Sequence, residues 1–147
     1  MTLALLVVAG AVGALLRYEV ELAVRRKAGG ALPYGTLVIN VSGSFVLGLL
    51  VGVAAHHGLS SQVVTVVGTG LLGAYTTYST FSVDTVGLAE HGRTRAVAAN
   101  VGATLVLGLG AAAVGLALGH ALWPAHGGGG DRIVGGSRSR RHVTFTE

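Results

Sequence analysis

The chain has no cysteine, two prolines, and only 11% Asp, Glu, Lys and Arg in 147 residues. Each scarcity excludes something. Without thiols there is no disulfide framework, thiolate metal site or cysteine nucleophile. With so few charges there is too little polar surface to keep an ordinary soluble domain of this length in water. With few prolines, long helical runs go unbroken. What fills the sequence instead is 51% hydrophobic residues and 25 glycines, with a mean hydropathy of +0.68. That composition defines an all-α integral membrane protein in which small residues let helices approach closely.

Four apolar segments of roughly twenty residues or more suit a bilayer's hydrocarbon thickness. They run from Thr2 to Val24, Tyr34 to Ala55, Ser61 to Ala89 and Arg95 to Trp123. The N-terminal run has no positive region before it and reads as a retained span, not a cleaved signal. Pro33 suits the start of the second span, and Trp123-Pro124 an interfacial stop for the fourth. The expected organisation is one membrane domain, residues 1–124, followed by a flexible Gly/Arg-rich tail, 125–147. Basic residues divide almost evenly: Arg25, Arg26, Lys27, Arg93 and Arg95 on one side, and Arg132, Arg138, Arg140 and Arg141 on the other. This balance sets no orientation and is compatible with insertion in both. The net charge of +4 sits largely in the tail, where it meets anionic lipid or sets topology; no nucleic-acid partner is expected.

The third segment contains the most informative stretch, Gly73-Ala-Tyr-Thr76-Thr77-Tyr78-Ser79-Thr80-Phe81-Ser82. Hydroxyls and a non-helical break within lipid are tolerated only where protein or an aqueous path covers them, so this stretch predicts an ion or solute path. Asn40, Ser42 and Ser44 are polar positions inside the second span, and Asn40 is the costliest of them to bury. Its alternatives are an interhelical hydrogen bond or a donor facing a pore. Asn100 and Thr104 lie one turn apart on the fourth span. Tyr78 and Phe81, three residues apart, either pack as ordinary aromatics or turn their electropositive ring edges towards an anion.

Other patterns carry less. Gly68-Thr-Gly70-Leu-Leu-Gly73 matches G-x-G-x-x-G, but the alternating strands and helices of a dinucleotide fold are missing, so these glycines are assigned to helix packing. Gly48-x-x-x-Gly52 and Gly115-x-x-x-Gly119 predict close helix packing and oligomerisation. The six histidines have no metal-ligand spacing, and no nucleophile, base and orienting acid occur together, so no enzymatic step is expected.

Three blocks together resemble one family, the small bacterial fluoride channels called Fluc or CrcB. They are Gly10-Ala-Val-Gly13-Ala14-Leu-Leu-Arg17-Tyr18, Pro33-Tyr-Gly35-Thr36-Leu37-Val-Ile-Asn40-Val-Ser-Gly43-Ser44-Phe45, and Gly70 through Ser82. The resemblance implies four transmembrane helices per subunit, the third broken, and an antiparallel dual-topology homodimer in the cell membrane carrying fluoride passively outward. It implies a structural Na+ held by the backbone carbonyls of Gly73 and Thr76. It also implies a fluoride path along Asn40, Tyr78, Phe81, Thr36, Ser79, Thr80, Asn100 and Thr104, with Arg17 at a vestibule. Two features depart from the family pattern: Tyr78 stands where phenylalanine is usual, and the tail is not required by the pattern. They motivate an alternative, a non-conducting subunit of a heterodimer with a related chain. A small multidrug exporter of similar size is disfavoured, because Glu19 and Glu21 lie near the end of the first span, not in its middle.

Overall fold

A computed structural model of the chain describes residues 1–28, 32–57 and 59–122, all helical or in short connections. The expected tail, and Trp123-Pro124, lie outside the described residues. Among the described residues, three helices are long and apolar enough to cross a membrane: α1 (Thr2–Ala28), α2 (Tyr34–His57, apolar through Ala55) and α6 (Thr94–Ala121). The remaining segment is assembled from pieces. It comprises α3 (Ser61–Val64), a π-helical stretch Thr65–Leu72, α4 (Gly73–Tyr75) and α5 (Tyr78–Glu90). Between α4 and α5 two residues, Thr76 and Thr77, are extended, and helix resumes at Tyr78.

The helix ends follow from local chemistry. Arg25, Arg26 and Lys27 occupy the last turn of α1, where cations favour the negative end of the helix dipole, and they carry the helix one turn past Val24. The Pro33 carbonyl accepts the Leu37 amide at 3.2 Å and opens α2. Gly92, with φ of 68°, closes α5: its amide bonds Ala89 O at 2.9 Å and the Arg93 amide bonds Leu88 O at 3.0 Å. This is a Schellman cap, which needs a left-handed residue.

Helices α2 and α6 form the most extensive pairing, and the two glycine pairs face each other across it. A Cβ at Gly48 would overlap the Ala112 carbonyl, and one at Gly115 would overlap the Phe45 carbonyl. The glycine faces expected to pack are thus used inside one subunit. On the other side, α1 rests on the π-helical stretch and α4, where Gly13 lets the Leu71 carbonyl and Tyr75 amide approach its backbone. The glycines of the G-x-G-x-x-G match are helical; Gly70 lies against Ala9 and Leu6 of α1. Among the described residues fully buried side chains are few and include Thr36 and Ile39, as expected where lipid or another chain covers the apolar exterior.

Candidate functional site

The break in the third segment is held from α2. Asn40 donates from Nδ2 to the Thr77 carbonyl at 3.0 Å and accepts the Thr77 amide on Oδ1 at 2.9 Å. One side chain thereby replaces both helical bonds that Thr77 lacks, which is why an extended residue survives in an apolar surround. The interhelical bond considered for Asn40 is formed. Thr77 in turn caps α5: its Oγ1 accepts the Thr80 amide at 3.1 Å and donates to Thr80 Oγ1 at 3.0 Å, with Ser79 Oγ 3.2 Å away.

These bonds have a consequence for two carbonyls. In an unbroken helix the Thr77 amide would bond Gly73 O, and the Thr80 amide would bond Thr76 O. Both amides are committed elsewhere, to Asn40 and to Thr77 Oγ1. Gly73 and Thr76 thus each offer a carbonyl released from helical bonding, a donor chemistry suited to a hard cation. Gly73 is also exposed on the surface of the subunit.

The aromatic pair sits on the first turn of α5. Tyr78 and Phe81 have ring centroids 6.2 Å apart, inclined at 41°. Phe81 is half-buried, whereas Tyr78 is 81% exposed. Towards α6, the Phe81 carbonyl accepts Thr85 Oγ1, and Thr85 Oγ1 accepts Nδ2 of the buried Asn100 at 3.0 Å. One turn further along α6, Thr104 Oγ1 is buried with no partner among the described residues.

At the α1 side, the buried Thr36 donates to Asp84 Oδ2 at 2.7 Å. Asp84 borders two cavities. A smaller one of 310 Å³ is lined by Arg17, Glu21, Arg25, Thr77, Thr80 and Asp84 among others. A larger one of 560 Å³ shares Glu21, Arg25 and Asp84 and adds His91 and Arg93. Arg17 thus lies in a cavity that reaches the break, and two cations there balance the carboxylates of Glu21 and Asp84. Glu21 and Arg25 approach to 3.9 Å.

The structure therefore joins Asn40, Thr80 and Ser79 through Thr77, and joins Phe81 to Asn100 through Thr85. It places Thr36 on Asp84 and Arg17 in the adjoining cavity, and leaves Tyr78 on the surface. Sequence reasoning missed Thr77, Thr85 and Asp84 as members. Asp84 was within reach: it is an acidic residue in an apolar segment, three residues after Phe81 and so on the same helix face.

The helices and this internal polar connection define a multi-pass membrane protein of small size. Residues 4–116 match the profile described as "CrcB-like protein, Camphor Resistance (CrcB)". The chain is 47% identical over 125 residues to "Fluoride-specific ion channel FluC 1" of Frankia casuarinae, covering 81% of this chain and 97% of that one. It is 48% identical over 120 residues to the like-named protein of Streptomyces avermitilis, with the same coverage. It is 44% identical over 110 residues to "Fluoride-specific ion channel FluC" of Rhizobium meliloti, covering 74% and 88%. The chain belongs to the CrcB family.

Proposed function

We propose that this chain is the subunit of a fluoride-selective channel in the cell membrane that lets fluoride leave the cytoplasm down its electrochemical gradient. The observation that carries the reading is the hydrogen-bonded break at Thr76–Thr77, set among apolar helices and held by Asn40. The similarity to proteins named for fluoride supplies the ion.

Fluoride holds its hydration water tightly, so a path must offer replacement donors without an opening for bulk water. The Thr80 hydroxyl receives a hydrogen from Thr77, and its own proton remains available on the cavity that holds Arg17. The Thr104 hydroxyl, without a partner among the described residues, extends the set of donors; Ser79 Oγ backs the Thr77 cap, and Asn100 steadies the Phe81 turn through Thr85. Phe81 and Tyr78 offer ring edges. Thr36 contributes by engaging Asp84, while Arg17 provides the positive charge at the vestibule.

Backbone carbonyls and hydroxyls on the exposed side of the break cannot face lipid. A second copy, inserted in the opposite orientation, would cover Gly73, Tyr78 and Ser79, all exposed in the single subunit. The carbonyls of Gly73 and Thr76 would hold the structural Na+ there. When bound, that ion ties the two breaks together by charge–dipole attraction; transport needs no chemistry from it.

The exposed hydroxyl of Tyr78 favours one second reading, a subunit that conducts only beside a related chain. Vesicles containing this chain alone separate the two. In the same vesicles, Phe81→Leu removes a ring edge and is expected to lower fluoride efflux about tenfold, the scale of one aromatic contact, with folding retained on gel filtration. Wild-type flux in that variant would remove Phe81 from the path.

A further inference from the structure

We propose that Tyr75 is a positioning residue for the carbonyls of Gly73 and Thr76, acting through Ser42; the proposal rests on the sodium reading above. Tyr75 is the last residue of α4 and lies between the two carbonyl donors in sequence. Its hydroxyl is 2.8 Å from Ser42 Oγ. Proton accounting gives this bond a direction. The single Ser42 proton is directed at its own helix, towards Val38 O at 2.7 Å or Ile39 O at 3.1 Å. Ser42 Oγ is then the acceptor and Tyr75 the donor, forming a relay from α4 to the α2 backbone.

Neighbouring contacts fix where the ring lies. A Cβ at Gly43 would overlap Thr76 Cγ2 and come within 3.2 Å of Tyr75 Cδ1, so the ring and the Thr76 methyl rest directly on the α2 backbone. Downstream, Asn40 holds both backbone groups of Thr77. Thr76 is therefore flanked by two ties to the same helix, Tyr75–Ser42 on one side and Thr77–Asn40 on the other. Together they set the angle between the Gly73 and Thr76 carbonyls before any ion arrives. Coordination of a small hard cation depends on such fixed oxygen geometry to within about half an ångström. The Asn40 tie maintains the break itself, whereas the Tyr75 tie governs how well the carbonyls are aimed.

The test uses the full purified chain and follows its thermal unfolding midpoint as sodium chloride replaces choline chloride at constant ionic strength. In the wild type, sodium is expected to raise the midpoint in a saturable way. Tyr75→Phe and Ser42→Ala each remove the same bond and should raise the half-effective sodium concentration about three- to tenfold, the scale of one neutral hydrogen bond. The double variant should do no more than the stronger single one, because one interaction is lost. If both variants lower the midpoint equally in sodium and choline, with the half-effective concentration unmoved, Tyr75 only packs and the proposal is overturned. If the wild type itself gains nothing specific from sodium, the sodium reading fails and takes the proposal with it.

Discussion

Fluoride efflux from vesicles carrying Asn40→Leu is expected to fall at least about a hundredfold, the largest loss for any single side chain in the polar connection. Leucine is close to asparagine in size, so the change creates little cavity. What it removes is the pair of bonds at 3.0 and 2.9 Å to Thr77. The Thr77 amide and carbonyl would then lie unpaired against apolar helices, at a cost of about 1–3 kcal/mol each. The break can escape that cost by rewinding, which returns the Thr77 amide to Gly73 O and abolishes both the Thr77 cap of α5 and the freed carbonyl. Asn40→Asp is the informative companion. Its carboxylate can still accept the Thr77 amide but cannot donate to the carbonyl, and it adds a negative charge that repels an anion. A flux of the wild-type order in Asn40→Leu would show that the break does not depend on this pair. Efflux with a fluoride electrode and size-exclusion profiles of both variants would check the prediction.

Gly115→Val is expected to be the most damaging change to stability. The added Cβ would occupy the position of the Phe45 carbonyl and lie 2.9 Å from the Leu49 amide, both backbone atoms that cannot rotate aside. Helices α2 and α6 would have to separate along their most extensive contact. Overpacking of a well-fitted contact costs about 1–3 kcal/mol, and separation also loses the dispersion contacts that hold helices together in lipid. The expected result is little or no monodisperse protein after extraction. Gly102→Ala is the control on the same helix: nothing lies within 4 Å of the added methyl, and the variant should purify like the wild type. Equal yields for Gly115→Val and Gly102→Ala would refute the proposed backbone contact.

Much of the fold could be read from the residues because lipid imposes simple rules. Long apolar runs became α1, α2 and α6 with boundaries shifted by a turn or less, and Pro33 lies at the start of α2 as anticipated. The third segment was legible as interrupted, since hydroxyls crowd Thr76 to Ser82. Its π-helical stretch at Thr65–Leu72 was not, because a wider turn leaves no composition signal in a Val/Gly/Leu run. At the site, residue types were legible and partners were not. Asn40 was identified as costly to bury, but its bonding to a backbone 37 positions away depends on how α2 crosses the break. Asp84 takes its hydrogen bond from Thr36, 48 positions earlier, a pairing that no local spacing shows. The bond between Tyr75 and Ser42 leaves no signal in the sequence, since only the close approach at Gly43 brings the two hydroxyls together.

The central claim is that this chain alone forms a fluoride-selective path. The measurement that tests it most directly is ion efflux from liposomes reconstituted with the purified chain, with fluoride-loaded and chloride-loaded vesicles compared at matched protein density and against protein-free vesicles. Rapid release of fluoride with chloride retained is the predicted result. Well-folded protein that releases neither ion, or both at similar rates, would contradict it.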